Sequence, residues 1–149
     1  MRAIIQRVKQ ASVIIDDKEY SKINHGLLLF LGVHEYDTIE DVDYIVNKTS
    51  NLRIFTDEKG LMNLSLKDVG GQILVVSQFT LYGDARKGRR PNFMQAAKNP
   101  KGEELYQLTV EKLKKEIPSV ETGEFGADMD ICLINDGPVT IQLDSSKIY

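Results

Sequence analysis

Two short stretches carry the side chains whose types and spacing can do chemistry. The first is Ser77-Gln78-Phe79-Thr80-Leu81, which follows the apolar run Ile73-Leu74-Val75-Val76. A strand over Gln72–Thr80 would put Gln78 and Thr80 on the face of Leu74 and Val76, with Ser77 and Phe79 on the other. Ser and Thr bring hydroxyls, Gln both donates and accepts, and Phe offers a flat face on which a base can stack. A strand that turns polar at its carboxyl end can open onto a cleft, or it can satisfy its own turn; the pentapeptide is compatible with both. The second stretch, Asn135-Asp136-Gly137-Pro138-Val139-Thr140, interrupts an apolar segment running from Met129 to Leu143. Its local chemistry is that of a turn, with Asn and Asp opening it, Gly permitting unusual dihedrals and Pro fixing the next one. Only about 5–6% of X–Pro bonds are cis, so the residues by themselves read Gly137–Pro138 as trans. Such an interruption gives up ladder hydrogen bonds and turns backbone carbonyls and amides toward whatever lies beside it.

Other catalytic chemistries find little support. The chain has no glycine-rich phosphate loop, CxxC pair, HExxH or G-x-S-x-G elbow. His25 and His34 flank one apolar run and lack a third ligand at metal-binding spacing, so they read as turn or surface histidines. Cys132 alternates with Ile131 and Leu133 and has no basic neighbour to activate it, so it reads as a packed residue. No metal and no cofactor are expected. Charge is uneven: Glu35, Asp37, Glu40, Asp41 and Asp43 cluster without a base, whereas Arg86, Lys87, Arg89, Arg90, Lys98 and Lys101 follow Asp84 as the one acid. By itself the basic stretch reads as a solvated loop, although it could also meet phosphates.

The elements that must position these residues follow from periodicity. Residues 2–15 read as a long strand, Asp16-Asp17-Lys18 as a turn, and Glu19–Ile23 as the returning strand. Leu27–Val33, a continuous apolar run, reads as a strand buried on both faces. Thr38 can cap a helix with Asp41 bonding back, and Ile39, Val42, Ile45, Val46 and Thr49 recur at helical spacing to about residue 50. Glu103 and Glu104 open a second helix whose buried stripe is Tyr106, Val110, Leu113 and Ile117, with Pro118 as its stop. Pro91 suits the first turn of a short helix through Ala97. Strands and helices mix without a regular βα repeat. The expected fold is α+β, a curved, mainly antiparallel, barrel-like sheet with two principal helices in a single domain spanning 1–149.

Composition sets the outer bounds. At 149 residues, 42% hydrophobic and 28% charged, the chain can bury a core without a metal or disulfide staple. Net charge is only −3, from 19 basic and 22 acidic residues, so bulk charge calls for no polyanionic partner. The longest apolar run is far short of the ~20 residues a membrane span needs, and Met1–Arg7 lacks a secretory apolar core. A single cysteine fits a reducing compartment. A cytoplasmic protein with no membrane association is expected.

Taken together, the two motifs resemble the paired signature of bacterial-type D-aminoacyl-tRNA deacylases. The resemblance extends to Met1–Val8, to Gly88-Arg89-Arg90-Pro91-Asn92-Phe93 and to Gly123–Met129, and thus runs the length of the chain. It implies a homodimer that hydrolyses the ester joining a D-amino acid, or glycine, to the terminal adenosine of tRNA. It also implies a cis Gly137–Pro138 bond whose carbonyls reach the other subunit's site and crowd the side where an L-residue carries its side chain. Arg7 would support that motif. Phe125 and Met129 would enclose the terminal adenine, and Arg86, Lys87, Arg89 and Arg90 would face the acceptor-stem phosphates. Ser77, Gln78, Phe79 and Thr80 would form the reaction centre. Thr80 is either a nucleophile, for which no evident base stands in the motif, or a positioning group beside backbone N–H donors at Phe79 and Thr80. The competing reading is a non-catalytic tRNA- or nucleic-acid-binding module. An editing hydrolase for L-amino acids and a hydrolase of small esters complete the alternatives.

Overall fold

The computed structural model describes residues 1–148. Strand β1 (Arg2–Ile15) organises it, pairing antiparallel with β2 (Lys18–Ile23), β3 (Gly26–Gly32) and β8 (Asp130–Asp144). The tight turn into β2 holds Asp16 and Asp17 at φ of 50° and 60°, a conformation that Asp tolerates better than most residues. Helix α1 (Ile39–Asn51) follows β3. A small hairpin of β4 (Phe55–Thr56) and β5 (Met62–Leu64) leads to β6 (Gln72–Ser77), which runs parallel to β3. Helix α2 (Lys101–Glu116) then returns the chain to β7 (Val120–Thr122), parallel to β6. The sheet is therefore mixed, its antiparallel ladders gathered on β1 and its parallel ones on β6. Ser21 Oγ of β2 donates to the Thr122 carbonyl of β7 at 2.7 Å and brings the two edges together into a nearly closed barrel.

Two apolar cores explain why β3 and β6 read as continuous runs. Leu27, Leu29, Leu31, Ile73 and Val75 face the helices and meet Val42 and Ile45 of α1 and Tyr106, Val110 and Leu113 of α2. Leu28, Leu74 and Val76 face the barrel interior, with Val8, Ala11 and Val13. Strand β1 serves both cores. Ala3 and Ile5 belong to the helix side, Ala11 and Val13 to the interior, although all four are odd-numbered. The change of face comes from an extra residue: Val8 pairs with Asn135 and Gln10 with Ile134, leaving Lys9 unmatched. A bulge of one residue moves every later side chain to the opposite face. At Gly26 β3 and β6 approach too closely for a side chain, because a Cβ there would lie 1.8 Å from the Gln72 carbonyl oxygen.

The structure corrects several expectations. Residues 91–97 form no helix: Asn92 exchanges backbone hydrogen bonds with Asp84 at 2.7 and 2.9 Å, and Ala97 N–H reaches the Val33 carbonyl. Pairing with distant backbone overrides the local preference there. Strand β6 stops at Ser77, and Phe79–Tyr82 forms a 3-10 turn, so Gln78 and Thr80 do not continue the face of Leu74 and Val76. Asn135–Val139 is no turn but a bulge within a continuous β8; Gly137–Pro138 is cis, against the reading of its residues alone and as the family resemblance implies, and Asn99–Pro100 is cis as well. Cys132 is exposed, because Ile131 and Leu133 take the inward positions. No helix among the described residues is long and apolar enough to cross a membrane.

Tyr106 links α2 to the site-bearing strand. Its buried hydroxyl donates to the Val75 carbonyl at 2.9 Å, an acceptor it shares with Gly123 N–H at 3.0 Å. Tyr106→Phe removes one net hydrogen bond and leaves the carbonyl partnered, so a loss of about 1 kcal/mol is expected. Urea unfolding would show it as a lower midpoint at unchanged slope. No change in midpoint would mean that the hydroxyl contributes nothing to holding β6.

Candidate active site

Strand β6 ends where its parallel neighbour β3 ends, and the chain opens there into a cavity of about 420 Å³. Leu31 and Val76 form its floor, and Ser77, Gln78 and Phe79 one side. Phe125 and Met129 stand on another side, carried by the segment between β7 and β8. The structure thus brings together residues that are some fifty positions apart in sequence. Phe125 is held from behind by Tyr106, with ring centroids 5.6 Å apart. Gly102 stands beside its ring and lets α2 approach the Ala97 carbonyl oxygen, which a Cβ there would meet at 3.0 Å.

At the mouth, Gln78 N–H donates to the Leu31 carbonyl at 2.8 Å and ends the parallel ladder. Its side-chain Nε2 donates to Thr80 Oγ1. The first N–H groups of a helical turn have no partner within it, which leaves those of Phe79 and Thr80 for an outside acceptor. Phe79 is exposed and meets Phe93 edge-on at 5.2 Å. Phe93, which sequence reasoning passed over, has only its place in the family-like segment as a signal. Asn99 and Ala97, also on the cavity wall, have no local signal at all. His34 packs against Tyr82 and Tyr36, with ring centroids 5.1 and 5.5 Å away. Among the described residues no group of three His, Cys, Asp or Glu side chains could hold a metal ion.

Gly137 and Pro138 do not line this cavity. They lie on the bulge of β8, beside Arg7. The buried Arg7 guanidinium donates through Nε to the Asp136 carbonyl at 3.2 Å and through Nη1 to the Ile54 carbonyl at 2.5 Å. Its Nε also lies 3.2 Å from the Asp136 carboxylate, which His25 Nε2 approaches to 3.9 Å. Of the basic loop, Arg86 is held by both oxygens of Asp84 at 2.8 and 2.7 Å, whereas Lys87, Arg89 and Arg90 are exposed and make no ion pair among the described residues.

Comparison with known proteins agrees along the whole chain. A family model described as D-Tyr-tRNA(Tyr) deacylase matches residues 4–144. A protein of Caldicellulosiruptor bescii named D-aminoacyl-tRNA deacylase is 58% identical over 149 residues, covering 100% of both chains. A Thermotoga petrophila protein of the same name is 55% identical, again over 100% of both. The solved structure titled "c-Myc DNA Unwinding Element Binding Protein" matches with a TM-score of 0.92 and 39% identity, covering 97% of this chain and 98% of that one. A second, titled as a probable eukaryotic D-amino acid tRNA deacylase, matches with a TM-score of 0.82 at 20% identity over 95% and 97% of the two chains, and shows the shared fold.

The Asp84–Arg86 pair on the basic loop carries a depressed carboxylate. The Arg86 side-chain hydrogen bonds, then its backbone N–H, hold the Asp84 carboxyl down at about 2. A depressed carboxylate pKa contributes stability above its unfolded value, and that contribution is lost as pH falls through the folded one. The Asp84 carboxylate carbon, followed by NMR, should therefore titrate with a midpoint near about 2. In Arg86→Ala the midpoint should rise toward the ordinary carboxylate range; an unmoved midpoint would contradict the assigned cause.

Proposed function

Because the chain belongs to the D-Tyr-tRNA(Tyr) deacylase family, we propose that it hydrolyses the ester between a D-amino acid and the terminal adenosine of tRNA, releasing free tRNA and the amino acid. The observation that carries this reading is the single cavity joining Ser77, Gln78 and Phe79 to Phe125 and Met129. Its apolar walls suit an adenine ring, and its polar mouth suits the ester. Aromatic stacking on a base is worth ~1–3 kcal/mol and tolerates a smooth wall with few donors.

In the proposed reaction the N–H groups of Phe79 and Thr80 donate to the ester carbonyl oxygen. They stabilise the negative charge that forms there when water attacks the carbonyl carbon. Collapse of the tetrahedral intermediate breaks the bond to the ribose oxygen, which leaves with a proton; the neighbouring ribose hydroxyl helps to place the water and to move that proton. Ser77, Gln78 and Thr80 position the substrate. The hydroxyl of Thr80 already accepts a hydrogen bond from Gln78, and no His or carboxylate hydrogen-bonds it among the described residues. A threonine nucleophile would need such a base.

Chirality is read, in this proposal, by the Gly137–Pro138 carbonyls of a second copy in a homodimer, placed at the cavity mouth. Rigid backbone there clashes with the Cβ of an L-residue and leaves D-residues unhindered, while glycine, lacking a Cβ, is hydrolysed too. Gly137 sits at φ +133°, and a Cβ on it would lie 2.8 Å from Val139 Cγ2 and 3.0 Å from Arg7 Nη2. Lys87, Arg89 and Arg90 would meet acceptor-stem phosphates, with Arg86 shaping their loop. The enzyme would act in the cytoplasm on freshly charged tRNA. The relative named as a binding protein at 39% identity favours, as the second reading, nucleic-acid binding without hydrolysis.

Hydrolysis of D-Tyr-tRNA, L-Tyr-tRNA and Gly-tRNA, followed without added metal, separates these readings. Cleavage of the D and glycyl esters with L spared is expected; salt-sensitive binding with no cleavage would establish the binding module instead. Thr80→Ala should keep activity within about tenfold if Thr80 only positions substrate, whereas complete loss with a trapped ester on the wild-type threonine would establish it as a nucleophile. Phe125→Ala should raise KM by about tenfold, the order expected for a lost stacking partner. Gly137→Ala should lose discrimination against L-Tyr-tRNA, and full discrimination in that variant would overturn the filter.

A further inference from the structure

The bulge that carries Gly137 and Pro138 is wide. Gln6 pairs with Thr140 and Val8 with Asn135, so Asp136, Gly137, Pro138 and Val139 all stand opposite Arg7 alone. Four residues facing one have no ladder to fix them, and the backbone groups so released must find other partners or face water. Arg7 supplies part of the answer through the Asp136 carbonyl, on the amino side of the excursion. Nothing in that contact sets how widely the loop opens on its other side.

We infer that Asn135 is the positioning residue that closes the neck of this bulge and so fixes where the Gly137–Pro138 carbonyls point. Its side-chain Nδ2 donates to the Val139 carbonyl at 3.0 Å and to the Arg7 carbonyl at 3.2 Å. An amide NH2 has two protons, and this geometry uses both. The first bond joins the two ends of the excursion, residues 135 and 139. The second pins that neck to β1 at the residue whose guanidinium holds the Asp136 carbonyl. Arg7 thus enters twice, donating through its side chain and accepting through its main chain, and Asn135 completes the circuit. A carboxylate of the same shape would have no proton for either carbonyl and would repel both.

This inference rests on the chiral-filter reading, and the test keeps the two apart. Asn135→Asp is compared with wild type on D-Tyr-tRNA and L-Tyr-tRNA, with folding checked by circular dichroism. The expected result is a fall of about tenfold or more in the D-to-L ratio of kcat/KM, the order of two lost hydrogen bonds, with D-Tyr-tRNA hydrolysis within about threefold of wild type. A merely structural role would lower both substrates alike, and that outcome, or an unchanged ratio, overturns the inference. Asn135→Ser, which keeps one donor, replaces the Asp variant if that one does not fold. In the wild type, 15N NMR reads the Asn135 side-chain protons directly: slow exchange with water is expected, and fast exchange of both overturns the clamp. Wild-type enzyme that cleaves L-Tyr-tRNA as readily as D-Tyr-tRNA would instead sink the filter itself.

Discussion

A buried guanidinium must be hydrogen-bonded along its fork, because leaving a desolvated charge without partners costs several kcal/mol. Arg7 imposes that demand at the centre of β1. Its partners are the carbonyls of Ile54 and Asp136 and the Asp136 carboxylate, drawn from the loop after α1 and from the bulge of β8. The excursion bearing Gly137 and Pro138 is therefore tied, on its amino side, to a cation that the strand cannot expose. Two residues on, at the unmatched Lys9, β1 turns its odd-numbered side chains from the helix side to the barrel interior. The change of face thus lies close to the point where the Gly137–Pro138 bulge is held.

The cavity has a different origin. Two parallel strands, β3 and β6, are apolar on both sides and end together, so the ladder stops where the core stops. Beyond it the backbone turns tightly at Phe79–Tyr82, presenting N–H groups with no strand to receive them. Helix α2 and the segment before β8 raise the apolar walls, with Tyr106 bonded to β6 and packed against Phe125. A rigid donor pair beside a smooth apolar slot is suited to an uncharged ester on a purine nucleoside. In the proposed reaction the chemistry lies in the backbone, and the side chains serve mainly to place it.

That division explains what could be read from the sequence. Long periodic elements were legible: β1, both helices, and the double-sided burial of Leu27–Leu31 follow from spacing alone. The proximity of Phe79 to Phe125 and Met129 was legible only through the family-like pattern, because no periodicity relates residues so far apart. Local rules failed where distant pairing won. Asn92 and Ala97 bond to Asp84 and Val33, and the Pro91 helix does not form. The Asn135–Pro138 run has every mark of a turn, yet β1 continues alongside and makes it a bulge. Cys132 was misplaced because the alternation was assigned without knowing which face met the core. The roles of Asn135 and the Ile54 carbonyl needed coordinates, since a side chain bonding to main chain across strands leaves no trace in residue type.

The central claim is that backbone N–H groups at Phe79 and Thr80 hold the ester carbonyl while adenine fills the slot between Phe125 and Met129. A crystal structure with D-tyrosine joined to 3′-aminoadenosine through an uncleavable amide tests it most directly. The account predicts the amide oxygen about 3 Å from both N–H groups, the adenine between Phe125 and Met129, and Gly137 of a second copy beside the ligand Cα. A ligand bound elsewhere, or its carbonyl turned away from Phe79 and Thr80 toward a side-chain nucleophile, would contradict it.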